Sequence, residues 1–283
     1  MSDLARSLKG GVRRMGEYCF PAAARAYRRR RDKHRVSGFP PTHTLLDLKL
    51  KGNAEDIALR EHAADVLQML ALIDGCDVFV DVGAYIGYYS CIAARKGKYA
   101  IAVEPHPVNF QVLRQNLLDN GLGPRFEVHA TAVSDRQGTT TLFGGREGGS
   151  LLPGWAGIPA PSQYRTDVPV NTLDGLIDGR FAGERMLINV DVEGDEYELM
   201  RGATMTLGRA IKPVWVLEIE LAEHFPGGLN PHFLDTFEVF WSAGHEAAPL
   251  TDPGRVLSRE EVQSWIDRRR TGYEDVHYIF RGR

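Results

Sequence analysis

The stretch VFVDVGAYIGYYS, residues 78–90, begins as an apolar strand, turns on two glycines and ends in aromatics. Strand, glycine turn and helix start in that order form the first unit of an open α/β sheet, where ligands bind beyond the carboxyl ends of the strands. Gly83 and Gly87 are spaced G-x-x-x-G, not the G-x-G-x-x-G of a dinucleotide loop, and no Gly-Lys-Ser/Thr follows to cradle phosphates. The discriminating residue is Asp81. A carboxylate at the strand end repels a pyrophosphate on this turn and attracts an ammonium or sulfonium.

From residue 76 onward, short apolar runs alternate with helix-length segments, the signature of a parallel sheet with crossover helices. The runs are CDVFVDV, YAIAVEP, FEVHATAV, MLINVDV and PVWVLEIE. Between them YYSCIAARKG, NFQVLRQNLLDNG and EYELMRGATMTLG each carry an apolar stripe and a glycine at or near the end. Beyond Glu220, PHFLDTFEVFWSAG and EEVQSWIDRRR read as helices and DVHYIFRG as a last strand. The expected fold is therefore α/β and doubly wound. Residues 144–164, with six glycines and three prolines, break the alternation and are expected to form a lid between the third and fourth core strands.

Ahead of this unit, HTLLDLKLKGN predicts a short strand and turn, and AEDIALREHAADVLQMLALI a helix. The expected organisation is a basic helical segment over 1–36, a strand and helix cap over 37–75, and the main domain over 76–283. Residues 1–35 hold eleven Lys or Arg against three acids, a net of +8, so the remainder carries −11 of the total −3. Such asymmetry fits contact with an anionic lipid surface or a nucleic acid, or simply a solvated helix. Base-stacking aromatics are sparse there, with only Tyr18, Phe20 and Tyr27, which disfavours nucleic acid. Cys19, Cys76 and Cys91 have neither disulfide nor metal-ligand spacing. No apolar run reaches the roughly 18 residues of a membrane span. A cytoplasmic chain is expected, peripheral to the membrane if its basic segment meets anionic lipid.

AVEP ends the second strand in Glu104, 23 residues after Asp81, near the roughly 20-residue offset at which an acid reaches an adenosine ribose. S-adenosylmethionine carries both an ammonium and a sulfonium and no phosphate, and its carboxylate can take free N–H groups at the turn. It is the cofactor these two acids favour.

DVGAYIGYYS, AVEPHPVNFQVLRQNL, HATAVSDRQGTTTL, PVNTLDGLI, LINVDVEGDEYELMRGA and VLEIE, in that order, resemble the FkbM family of S-adenosylmethionine-dependent methyltransferases. The resemblance covers about half the chain. It implies a class I methyltransferase with a Rossmann-like, mostly parallel seven-stranded sheet, and S-adenosylhomocysteine as product. It places Asp81, Gly83, Ala84, Tyr85 and Gly87 in the cofactor loop, Glu104 and Pro105 at the ribose, and Ala132, Val133 and Ser134 at the adenine. Asp191 and Glu193 fall in the acidic DVEG turn, with Asp191 also facing the cofactor. Three positions depart from the pattern: Tyr85 for asparagine, Asn189 for lysine and Asp195 for histidine.

Methyl transfer from a sulfonium is an in-line displacement, helped by positioning and, for an alcohol, by a general base. Asp191 is the first candidate, followed by Glu193, His224 and Glu218, with Glu220 beside them at the end of the fifth strand. Asp191, Glu193 and Glu218 are oxygen ligands of the kind magnesium takes, but no dense acidic motif demands an ion and no metal is expected. The expected acceptor is a hydroxyl on a small molecule or glycan. A nitrogen acceptor, or RNA modification through the basic segment, are the rival readings. Oligomeric state is not legible.

Overall fold

The computed structural model of the protein describes residues 22–23, 41–43, 46–52, 62–145, 148–158, 164–273 and 275–283. In chain order the strands are β1 (Thr42–His43), β2 (Lys49–Leu50), β3 (Val78–Val82), β4 (Tyr99–Val103), β5 (Phe126–His129) and β6 (Ala132–Val133). They continue with β7 (Gly138–Phe143), β8 (Arg165–Asn171), β9 (Met186–Val190), β10 (Val214–Glu218), β11 (His245–Pro249) and β12 (His277–Gly282). The helices are α1 (Ala64–Gly75), α2 (Tyr88–Arg95), α3 (Pro107–Asp119), α4 (Leu173–Ile177), α5 (Glu196–Arg201), α6 (Thr204–Leu207), α7 (Phe233–Ser242) and α8 (Arg259–Arg268).

The main sheet has seven strands in the order β11-β12-β10-β9-β3-β4-β5. Its five inner and right-hand strands, β10, β9, β3, β4 and β5, are mutually parallel, and β12 runs antiparallel between β10 and β11. The apolar runs form strands because both faces are covered: all five residues of β3 and of β9 are buried. Val80, Ile101 and Ile188 face a core that includes Phe237 and Phe240 of α7. Phe79, Leu187 and Val216 face the other core, which takes in Leu50 of β2 and Met69 and Ile73 of α1. The cap therefore shares its hydrophobic core with the main domain. Asn116 of α3 and Asn120 just past its end accept from the backbone N–H groups of Lys51 and Lys49 and tie the β1–β2 ribbon down.

From β3 the chain winds outward through β4 and β5, then returns to lay β9 on the opposite side of β3. The reversal puts a crevice between the carboxyl ends of β3 and β9, the position where open α/β sheets bind ligands. Gly83 sits at its base with φ +86°, and a Cβ there would lie 1.7 Å from the carbonyl oxygen of Asp191. The Gly83 N–H is held by Val103 O and the Asp191 N–H by Val82 O, so neither turn can back away.

The α/β, mostly parallel seven-stranded expectation agrees with this architecture. Local readings differ in four places. FEVHATAV splits into β5 and β6, which belong to different sheets, and β6-β8-β7 is a separate three-stranded sheet. EYELMRGATMTLG breaks into α5 and α6, because at Gly202 the backbone comes so close to Ser134 O that a Cβ would sit 2.2 Å from it. β11 was not anticipated from HEAAP; its proline is tolerated because the strand is an edge paired only with β12. The 144–164 segment joins β7 to β8. The expected basic helices over 1–36 lie outside the described residues, apart from 22–23. Among the described residues no helix is long and apolar enough to cross a membrane.

Gly83 and Gly97 separate strain from collision, since both are left-handed but a Cβ at Gly97 meets nothing within 4 Å. Gly97→Ala is expected to cost about 1 kcal/mol for the backbone conformation alone. Gly83→Ala should cost about 2–4 kcal/mol, because overpacking adds to the same strain. Urea unfolding of the two variants measures the difference; equal losses would mean that the β3 and β9 turns are free to separate.

Candidate functional site

The turn after β3 is wound by three left-handed residues, Gly83 (φ +86°), Tyr85 (φ +52°) and Gly87 (φ +83°). For a tyrosine this conformation costs about 1–2 kcal/mol, whereas asparagine visits it more readily, so Tyr85 sits where the backbone itself favours the residue it replaces. The conformation is held by the Tyr85 N–H, which donates to Glu104 Oε2 at 2.9 Å. Glu104 Oε1 accepts from the His106 N–H at 2.8 Å and from Asn109 Nδ2 at 3.2 Å. Burial pushes the Glu104 carboxyl up to about 7 against the pull of those donors.

A cleft of about 180 Å³ opens above this turn. Glu104, Asp191, Glu193 and Asp195 contribute to its walls, and among the described residues no lysine or arginine does. Val103, Ala132, Val133 and Leu142 make one wall apolar, and Gly148, Gly149 and Leu151 bring the 144–164 segment against the opening. Gly83, Tyr85 and Pro105 line it as well. Ala84, Gly87 and Ser134 stand behind the surface, Ser134 donating to the Asp195 carboxylate.

Asp81 is not in the cleft lining. Its side chain lies 2% exposed between β3, α2 and β9, accepting from Ser90 Oγ and, at 3.0 Å, from Asn189 Nδ2. Asp81 and Asn189 are direct cross-strand partners, so both side chains leave the sheet on the face covered by α2. Burial raises the Asp81 pKa despite these two donors.

The second half of the site is carboxylate-rich. The register pairs Val82 with Val190, Val190 with Leu217, and Glu218 with His277, so the strand ends carry Gly83, Asp191, Glu218 and His277 in one row. Asp191 is driven well above the usual carboxylate range by burial, then by the neighbouring Glu218 and Glu193. Burial, followed by the charge of Glu218, pushes Glu193 up to about 7. Glu218 is the exception: burial works against its charge, but the adjacent His277 holds it below the ordinary value. His277 Nε2 lies 3.4 Å from Glu218 Oε2, and its Nδ1 lies 2.6 Å from Asp275 Oδ1. His224 Nδ1 lies 3.1 Å from Glu220 Oε1. Among the described residues no cluster of three or more His, Cys, Asp or Glu is arranged to hold a metal ion.

Glu193 also anchors the segment above it. It is itself left-handed, with φ +57°, and its backbone oxygen accepts from Ser150 Oγ at 2.6 Å. Trp155 Nε1 donates to its carboxylate at 2.7 Å. The indole packs edge-on against Phe225 and tilted against His224, and it rests on Gly194, where a Cβ would come within 2.5 Å of the ring.

The chain thus brings Asp191, Glu193, Glu218, Glu220 and His224 to one end of the sheet beside Glu104 and the glycine turn. His277, Asp275, Asn109, Thr131 and Trp155 were not among the expected residues. The alternation in DVHYIFRG puts His277 on the face opposite Tyr278, but nothing local to it names Glu218 as its partner.

A glycine turn and a strand-end acid at the switch point of a mostly parallel seven-stranded sheet define a class I methyltransferase. The chain belongs to the FkbM methyltransferase family, whose Methyltransferase FkbM domain matches residues 81–247. No curated protein matches it. Among solved structures it is similar to the O-methyltransferase from Bacillus cereus in complex with SAH, at 13% identity and TM-score 0.41, covering 88% of this chain and 94% of that one. It is also similar to precorrin-6y C5,15-methyltransferase from Geobacter metallireducens GS-15, at 14% identity and TM-score 0.37, covering 72% and 77%. The SAH-bound methyltransferase PaMTH1 from Podospora anserina aligns at 9% identity and TM-score 0.33, covering 54% of this chain and about half, 51%, of its own length.

Glu196 gives a pH test of the buried acids. Its carboxylate accepts from the Gly194 N–H at 2.8 Å, and burial raises it from 4.5 to about 8. A carboxyl raised on folding favours the fold below its unfolded pKa and loses that contribution as pH rises through the folded value. Glu196→Gln is therefore expected to raise the melting temperature relative to wild type at pH 8 and to lose that advantage by pH 5. An advantage that does not change with pH would mean that Glu196 is already charged in the fold.

Proposed function

We propose that this methyltransferase uses S-adenosylmethionine to methylate a hydroxyl on a sugar, glycan or natural-product intermediate, releasing S-adenosylhomocysteine. The observation that carries the reading is a cleft at the sheet's switch point walled by carboxylates, with no lysine or arginine among the described residues that line it. Such a wall suits an ammonium and a sulfonium and opposes a phosphate. In this reading Glu104, with lone pairs left over from its backbone donors, accepts the ribose hydroxyls. The apolar wall of Val103, Ala132 and Val133 takes the adenine, and the turn at Gly83 and Tyr85 takes the methionine end. When bound, the cofactor supplies an activated methyl group. The protein orients it and keeps water from it with the Ser150–Trp155 segment.

A hydroxyl acceptor is favoured over a nitrogen because the strand ends offer carboxylates to take a proton, which an uncharged amine does not require before attack. The same reading makes 76–283 the catalytic unit, 37–75 its cap and the basic 1–36 segment a contact for an anionic surface in a cytoplasmic setting.

Calorimetry with S-adenosylmethionine tests the cofactor assignment. Binding is expected to tighten between pH 6 and pH 8, as the Glu104 carboxyl near 7 loses its proton. Glu104→Gln should weaken binding about ten- to a hundredfold and flatten that pH dependence. Absence of binding by the wild type would sink the reading. Mass spectrometry of products from a panel of glycosides and amines then decides between oxygen and nitrogen.

A further inference from the structure

We propose that His277, clamped by Asp275, is a positioning residue that makes Glu218, not Asp191, the proton acceptor for the incoming hydroxyl. This rests on the hydroxyl-methylation reading above.

Asp191 and Glu218 occupy adjacent ends of parallel strands, in the register that pairs Val190 with Leu217. Two carboxyls at such neighbouring positions do not both ionise readily, and the one with a cationic partner keeps the charge. Among the described residues Glu218 has one in contact, His277, whereas the same His277 reaches Asp191 only through its charge. The cross-strand neighbour of Glu218 on β12 is this histidine, whose Nε2 approaches Glu218 Oε2 at 3.4 Å. The opposite ring nitrogen meets Asp275 Oδ1 at 2.6 Å, and the same oxygen accepts the His277 backbone N–H at 3.0 Å. Asp275 thereby fixes the ring plane by accepting from Nδ1–H, which turns Nε2 toward Glu218; in the imidazolium both nitrogens carry a proton. With carboxylates on both sides, His277 is pushed up to about 10 even though burial opposes its charge.

The surrounding charges agree. Glu218 is faced by His277 from β12 and Asp275 just before it, by Asp191 and Glu193 from the turn after β9, by Glu196 from α5, and by His224 and Glu220 from the segment after its own strand. Glu193 is engaged by Trp155 and Glu220 by His224. Asp191 retains its proton, which makes it a hydrogen-bond donor to the acceptor oxygen and not a base. In the reaction, the acceptor oxygen forms its bond to the methyl carbon as the carbon–sulfur bond breaks. The bonding pair stays on sulfur, now a neutral thioether, and the hydroxyl proton passes to the Glu218 carboxylate.

The test uses the full-length protein. Carbon-13 NMR of the Glu and Asp carboxyls and of the histidine rings is followed across pH 5–9, and methyl transfer from S-adenosylmethionine to methyl glycosides is measured over the same range. The wild type is expected to show Glu218 ionised, Asp191 protonated and His277 cationic throughout. In His277→Gln, and in Asp275→Asn as a second variant, Glu218 should take up a proton within this range. Glu218→Gln should lose about 10²- to 10⁴-fold in transfer, the worth of a general base, with cofactor affinity kept. His277→Gln should lose most of its rate near pH 6 and recover by pH 9, whereas a merely structural role would lower the rate equally at every pH. Asp191 ionised with Glu218 protonated in the wild type, or a pH-independent loss in His277→Gln, would overturn the proposal. A correct NMR pattern without transfer to any glycoside would count against the hydroxyl reading and leave the relay standing.

Discussion

The site depends on one steric fact: the backbone of the β3 turn touches the backbone of the β9 turn at Gly83, with no room for a Cβ between Gly83 and the Asp191 carbonyl. At the switch point of an open sheet the two strand ends diverge only beyond their last hydrogen bond, so whatever lies there is shared between both turns. The contact sets the distance between Glu104 and the turn on one side and the Asp191–Glu193 turn on the other. A second glycine repeats the device one layer out. Gly194 lets the Trp155 ring approach the DVEG turn closely, and the indole then reaches the Glu193 carboxylate. The enclosing segment is thus fixed to the same backbone that forms the floor.

Around this seam the electrostatics are one-sided. Burial raises Glu104, Asp191, Glu193, Asp195 and Glu196 together, against histidines near Asp191 and Glu193 and Arg136 near Asp195. Buried carboxyls hold their protons more tightly where charging them in a poorly solvating site costs more than the hydrogen bonds they accept return. Such a site holds latent negative charge that a cationic ligand can draw out, although each carboxyl that ionises raises its neighbours. Glu218 differs only because β12 runs antiparallel and places a histidine opposite it.

The sheet was readable because its strands are covered on both faces, so CDVFVDV and MLINVDV are apolar almost without interruption. The β6-β8-β7 sheet was not, because GTTTLF and RTDVPVN are half exposed, carry threonines and a proline, and lack the continuous apolar run. In the site, acids at strand ends stood out, since a carboxylate there is costly without a purpose. Their directions did not. Asp81 and Glu104 read as a pair facing one ligand, yet alternation along β3 sends Asp81 toward α2 with Phe79, while Glu104 lies past the end of β4 and turns into the cleft. His277 was missed for a different reason: its meaning comes from a cross-strand register that no local pattern encodes.

Asn189, one of the departures from the family pattern, acts on Asp81 directly. A lysine at Asn189 would stand opposite Asp81 and give it a full countercharge within the sheet. The asparagine amide gives a hydrogen bond and no charge, so Asp81 is held by Asn189 and Ser90 alone and burial raises its pKa. The middle of the sheet then carries one cation fewer beneath an already acidic floor. Tyr85 adds to this at the rim, where its strained backbone is held through its N–H bond to Glu104. Protonating Glu104 weakens that bond as well as the acid's own charge, so the conformation of the turn and the charge of the cleft are tied to one carboxylate.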